Sequence, residues 1–344
     1  MALACPYGSH RVIEPKGSLP QGARRLDNRM EIHENEILLD VETLNIDSAS
    51  FTQIRKQAGD DPGKIAGIMM DIVKQRGKHH NPVTGSGGMF IGTVNSIGSF
   101  LKDKRDLKVG DRIASLVSLT LTPLVIEEIK EIHLDTAQVD IKGQAVLFES
   151  GIYAVLPDDL PQKLALAALD VAGAPAQTAK LVKPGDTVLI VGAGGKSGCL
   201  CLHEAKKRAG VSGRVIAMDY GETAIKRIKD LELADVVLDV DATKPLDCLQ
   251  TLWSACGSLA DITITCVNIP QTEMTSILCT REGGTVYFFS MATSFTAAAL
   301  GAEGVGKDVT MLIGNGYTNS HAAITLEVLR ENSKLRKLFS EVYV

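Results

Sequence analysis

The rhythm of hydrophobic and polar positions changes near residue 165. Before it, short runs of β-forming residues stand between turns: 36–42 (EILLDVE), 92–96 (GTVNS), 112–117 (RIASLV) and 144–148 (QAVLF). Glycine and proline punctuate these runs, which predicts an irregular, largely antiparallel β domain over residues 1–165. After it, apolar runs and amphipathic stretches take turns. Thr187–Val191 (TVLIV) reads as a strand buried on both faces. The next stretch, 196–209, reads as a helix, with Leu200, Leu202 and Ala205 among Lys and Glu. A strand at 214–218 and a helix at 222–231 follow. Runs at 235–240, 261–267, 284–290 and 308–313 continue the series, and helical periodicity resumes at 322–330. Strands separated by helices of this length build parallel βαβ units. The fold class is therefore α/β, with a doubly wound parallel sheet over residues 166–318.

Where the first of these strands ends, the chain reads VLIVGAGGKSG, residues 188–198. The cluster follows a strand and opens a helix, the context in which glycines hold a dinucleotide. Gly192 permits the tight turn, and Gly194 lets the backbone approach a pyrophosphate that helix N–H groups then bind. Gly195, Lys196 and Ser197 complete the expected phosphate-binding set. Ser197 stands where a third glycine is expected, and it is small enough for close helix–strand packing. A glycine turn in another kind of α/β domain would share this local pattern. The second strand, RVIAMDY, ends in Asp219 and Tyr220, about twenty residues on. A carboxylate there accepts hydrogen bonds from ribose hydroxyls and repels a 2′-phosphate. No arginine follows it directly, so the expected cofactor is NAD; a cap for the next helix is the other use of Asp219.

Composition narrows the class. A chain of 344 residues can hold two domains, and a formal net charge of −5 speaks against a nucleic-acid partner. No apolar stretch reaches the ~18 residues that a membrane span needs. The start, MALACPYGSHRVIEPKGSLPQG, lacks a basic region followed by an apolar run, so a cytoplasmic protein is expected. Seven scattered cysteines form no CxxC pair, which predicts reduced, packed thiols and no zinc knuckle. A homodimer is the expected assembly, being the commonest.

A β domain followed by a nucleotide-binding domain resembles the medium-chain dehydrogenase/reductase family. The likeness runs through EILLDVETLNIDSASF, IGTVNSIG, LKVGDRIASL, AKLVKPGDTVLIVGAGG and LRENSKLRKLF. It implies a GroES-like first domain, a Rossmann second domain, and a closing segment, 319–344, that returns to the first. Zinc members of that family carry their ligands at positions that here read Ile46, Gly88-Met89 and Ala167. None of these offers a thiolate, imidazole or carboxylate, so no catalytic metal is expected. Three further stretches, ALACPYGSHRVIEPKGSLPQGARRLDN, GKHHNPVTGSGGMFIGTVNSIG and IGNGYTNSHAAITLEVLREN, resemble a zinc-free branch that deaminates a small diamino acid with NAD.

Amine oxidation without a Lewis acid requires side chains that move protons. On the resemblance, Asp170 in ALDVAGAPAQT falls at the nicotinamide end and is the first candidate base; a helix cap is its alternative. Asn45, Asp47, Ser48 and Ser50 align with a segment that carries a proton relay in relatives, with Asn45 and Ser50 expected to touch substrate. His79 and His80 form a pair beside the glycines Gly85, Gly87 and Gly88, and histidine titrates near neutrality. Glu149 is an expected anchor for the second ammonium. His321 is expected to cap or pack. The alternatives are a zinc-free alcohol, quinone or enoyl reductase, or a non-catalytic NAD(H)-binding protein on the same fold.

Overall fold

The computed structural model describes residues 3–314 and 316–344, with residues 48 and 49 described by backbone alone. Two compact units are present, the first ending at Asp158 and the second starting at Asp159. The change of rhythm at 165 falls inside a helix of the second unit, Gln162–Leu169.

In the first unit, a short ribbon pairs β1 (Val12–Glu14) with β2 (Arg25–Leu26). The main sheet contains β3 (Glu36–Ile46), β4 (Gly88–Ile97), β5 (Arg112–Ser115), β6 (Leu124–His133), β7 (Gln138–Phe148) and β8 (Tyr153–Val155). Its order is β6-β7-β3-β4-β5-β8, antiparallel throughout. Between β3 and β4 lie two helices that the short-run reading did not anticipate, α1 (Ser48–Ala58) and α2 (Pro62–Arg76). Their stops are chemical. Asp61 caps α2 by accepting from Lys64 N at 3.0 Å, Pro62 occupies the first turn, and Gly59 and Gly77 end the two helices in the left-handed region. Ile54, Ile65 and Met69 from these helices are fully buried against Leu39, Leu44 and Phe90 of the sheet.

The second unit opens with α3 (Gln162–Leu169) and α4 (Gly173–Leu181). Strands and helices then alternate: β9 (Thr187–Val191), α5 (Lys196–Ala209), β10 (Arg214–Asp219), α6 (Glu222–Leu231), β11 (Val236–Asp239), α7 (Pro245–Cys256), β12 (Ala260–Thr265), α8 (Glu273–Cys279), β13 (Thr280–Phe288), α9 (Phe295–Gly304) and β14 (Thr310–Ile313). The strand order is β11-β10-β9-β12-β13-β14, all parallel. This is the doubly wound order of dinucleotide-binding folds. The reason β9 is apolar at every inner position is visible in its packing. Val188 and Ile190 bury against Leu202 and Ala205 of α5, while Leu189 and Val191 join the cluster of Cys248 and Leu252 from α7. Each face has its own helix layer, so neither can be polar.

The closing segment forms α10 (His321–Glu331) and α11 (Ser333–Val342). Both belong to the second unit and pack on its own helices, α10 on α3, α4 and α5, and α11 on α3, α5 and α6. That differs from the return to the first domain that the family likeness implies. No helix of the described residues is long and apolar enough to cross a membrane.

Candidate active site

From the adjacent strands β9 and β12 the chain continues to opposite sides of the sheet, to β10 and to β13, and a crevice at the carboxyl ends of such a pair is the usual ligand site of these folds. Here it is a cavity of about 770 Å³ within the second unit. Its wall combines the glycine cluster, Asp219, Arg227, the 266–269 segment after β12, and Asp170.

The glycines are fixed by space. Gly192 has φ +81°, and a Cβ there would stand 2.5 Å from Val267 N. Gly198 is the close-packing glycine: its Cβ would meet Gly192 O at 2.1 Å and Ala193 Cα at 2.7 Å. The role assigned to Ser197 by sequence spacing thus falls one residue later, and Ser197 lines the cavity instead. Helix α5 starts at Lys196, with Gly195 as N-cap and no side-chain cap. Its first N–H groups are left for an anion at the positive end of the helix. Those three features fit a dinucleotide pyrophosphate.

Asp219 closes β10 with its two oxygens engaged by backbone donors, Gly194 N at 2.8 Å and Tyr220 N at 2.8 Å. Tyr220 itself does not line the cavity and is 69% exposed. Its expected place at the cofactor therefore shrinks to the N–H that orients Asp219. Arg227, which sequence reading passed over, lines the same cavity from α6 and donates to Gly194 O at 3.4 Å. Lys196 Nζ pairs with Asp170 Oδ2 at 2.6 Å. This ion pair joins the expected base to the phosphate loop. Lys196 also lies 5.8 Å from the ring centre of Tyr343, which packs on buried Phe339.

The remaining candidates belong to the first unit. Asp47 occupies the N-cap position of α1, and its Oδ2 accepts from Gly87 N at 3.0 Å. Asn45 sits on β3 opposite Met89 and Gln138. Ser50 is fully buried, and its Oγ accepts from Asn81 Nδ2 at 3.0 Å. The Ser48 side chain lies outside the described residues. His79 and His80 do not titrate near neutrality here. Burial pushes both down to about 4, assisted at His80 by the charges of Lys78 and Arg76. His79 is wholly buried, and neither ring nitrogen makes a hydrogen bond. The expectation of a near-neutral shuttle gives way to two neutral imidazoles. Glu149 Oε2 accepts from Asn35 Nδ2 at 2.9 Å, and Asn35 also clasps Ala4 through 2.8 and 3.1 Å bonds. Its carboxylate thus has a structural partner at the amino-terminal segment. His321 packs, 5% exposed, edge-on to Tyr317.

Ile46 and Ala167 are buried apolar residues, and Ile46 pairs with Gly88 across β3 and β4. Elsewhere the fold gathers ligand-type groups that sequence spacing could not show: His10, His33 and Glu36; Glu131, His133 and Asp140; His203, Glu204 and Glu331. At the first of these, both Glu36 oxygens already accept from protein donors, namely Arg11, His10 and His33 N.

Residues 10–157 match the model of the L-erythro-3,5-diaminohexanoate dehydrogenase N-terminal domain. The L-erythro-3,5-diaminohexanoate dehydrogenase of Acetoanaerobium sticklandii is 61% identical over 341 residues, covering 99% of each chain. The chain belongs to the L-erythro-3,5-diaminohexanoate dehydrogenase family. The enzyme of that name from Fusobacterium nucleatum subsp. nucleatum is 58% identical over 348 residues, with full coverage of both chains. Among solved structures, AibC shares the fold of this family member at a TM-score of 0.54 and 19% identity, over 90% of this chain and 84% of that one. Mycobacterial Rv1454c complexed with NADPH does so at 0.53 and 18%, over 94% and 87%. Other likenesses of this kind include quinone oxidoreductases and an alcohol dehydrogenase, with which the chain shares its fold.

Proposed function

We propose that this protein oxidatively deaminates L-erythro-3,5-diaminohexanoate, giving 5-amino-3-oxohexanoate, ammonia and NADH. The full-length identity of 61% to a dehydrogenase of that substrate carries the reading. The cavity supports it, because it offers a pyrophosphate cradle beside a carboxylate. The first unit is assigned to substrate and the second to cofactor.

Gly192, Gly194, Gly195, Lys196 and Ser197 would hold the pyrophosphate, and Asp219 the adenosine ribose. When bound, the nicotinamide accepts the hydride from the carbon that carries the reacting amine. The rest falls to side chains. An ammonium has no lone pair with which to form an imine, so a base must first remove a proton from the reacting nitrogen. Asp170, on the cavity wall, is assigned that role and holds the proton as a neutral carboxylic acid while the imine forms. The same group, protonated by that step, can return a proton to the departing ammonia after water adds. Ile46, Gly88, Met89 and Ala167 supply no metal ligand, so the reaction is assigned to these groups without zinc.

Cofactor choice rests on Asp219. Replacing it together with its exposed neighbour, as Asp219→Ser with Tyr220→Arg, removes a repulsion and adds a phosphate partner. Preference should move from NAD toward NADP by on the order of 10–100-fold in kcat/KM, the worth of a hydrogen bond to a charged group. Paired assays with both nucleotides measure this. Wild-type enzyme that uses NADP as well as NAD would show that Arg227 outweighs Asp219.

A further inference from the structure

Two thiols meet at the wall of the cofactor cavity. Cys266 follows β12, is partly exposed and lines the cavity. Cys201 is fully buried on α5, and the two sulfurs stand 3.8 Å apart. That is van der Waals contact. A disulfide needs about 2.05 Å, so the two sulfurs must move closer together before they can bond. Cys199, the neighbour on α5, does not compete, because its Sγ is turned to Ala193 O at 3.4 Å.

We infer that Cys266 is an oxidative modification site for hydroperoxides, with Cys201 as its resolving thiol and the bound dinucleotide as its shield. The shielding clause rests on the reading of this cavity as the dinucleotide site; the thiol pair does not. In the first step the Cys266 sulfur takes one oxygen from the hydroperoxide. The O–O bond breaks, water or an alcohol leaves, and a sulfenic acid remains. In the second, the Cys201 sulfur attacks the Cys266 sulfur, the S–O bond breaks, and the hydroxyl departs as water with the Cys201 proton. The thiols lose two electrons and the hydroperoxide gains them.

The order of the steps follows from access. Cys266 is open to the cavity, whereas burial pushes the Cys201 thiol well up and keeps it protonated. Contact with the sulfenic acid compensates for a low thiolate fraction in the second step. The consequence for the cofactor site is also geometric. Cys266 N donates to Val191 O at 2.7 Å, and the next residue, Val267, already crowds the Gly192 turn. Drawing Cys266 toward α5 displaces that contact and spoils the cradle.

The test begins with reduced wild-type protein, so it does not depend on a variant that folds. Incubation with equimolar hydrogen peroxide should remove two hydrogens by intact mass and link the Cys201 and Cys266 peptides. It should also weaken NAD binding by about tenfold or more, and a phosphine reductant should restore it. Cys201→Ser should stop at added oxygen on Cys266. A wild-type protein that stays reduced at Cys266, or gains oxygen there without a cross-link, overturns the inference. NAD titration of the reduced protein separates the two readings. If NAD binds yet does not slow the cross-link, the shielding claim fails. If NAD does not bind while the cross-link forms, the cavity assignment fails and the thiol pair stands.

Discussion

Asp170→Asn should lower turnover of L-erythro-3,5-diaminohexanoate by roughly 10²–10⁴-fold, the contribution of one positioned acid or base. Asp170 ends α3 and reaches the cavity through a side chain that is 45% exposed. The amide keeps an oxygen that can accept from Lys196, so the phosphate loop loses little. An ion pair this open is worth about 0–1 kcal/mol, and thermal stability should hardly move. Three measurements together decide the role: turnover at saturating NAD, NAD affinity, and a melting curve. Retained turnover would place the base elsewhere. A collapse of NAD affinity would instead mean that Asp170 works by orienting Lys196.

Glu36→Gln should have the largest effect on stability, a loss of about 3–5 kcal/mol for the first unit, because it leaves a buried cation without its counter-charge. Glu36 and Arg11 are 1% and 3% exposed and pair through two bonds, at 2.7 and 2.6 Å. Arg11 also donates to the carbonyls of Asp27, Arg29 and Glu31, and so ties the amino-terminal segment to the start of β3. Burial pushes the Glu36 carboxyl up, but Arg11, His10 and the His33 N–H outweigh it and hold the group down to about 2, from an ordinary 4.5. A folded-state value below the unfolded one stabilises the fold above pH 4.5, and that advantage is lost as pH falls toward 2. Denaturant unfolding of both proteins should therefore show a wide gap near neutrality that narrows in acid. Equal midpoints at neutral pH would mean that the pair only balances its own desolvation.

The second unit was the more legible half. A strand buried on both faces has no polar position to confuse it, so Thr187–Val191 stands where the apolar run places it. Lys196–Ala209 and Glu222–Leu231 likewise begin and end at their sequence limits. The helices α1 and α2 were lost in the first unit. SASFTQIRKQA has few apolar residues and follows a strand, and its burial comes from packing with α2 and the core under the sheet. The signals at its borders, Gly59 and the Asp61-Pro62 start, were nonetheless in the sequence. The residues that line the cavity divide in the same way. Gly192, Gly194 and Asp219 are local to one βαβ unit and could be read from spacing. Arg227 reaches the cavity only because α6 turns it inward. The pairing of Lys196 with Asp170 depends on how α3 packs, which no linear pattern encodes.

The central claim is a specific reaction, and one assay tests it most directly. Purified protein treated with a chelator is given NAD and L-erythro-3,5-diaminohexanoate, and both NADH absorbance and released ammonia are followed. The account predicts one ammonia for each NADH, undiminished by the chelator, with no comparable rate on simple alcohols and, when NADH is supplied instead, no comparable reduction of quinones. NADH formed without ammonia, activity abolished by chelation and restored by zinc, or turnover confined to alcohols or quinones would contradict it.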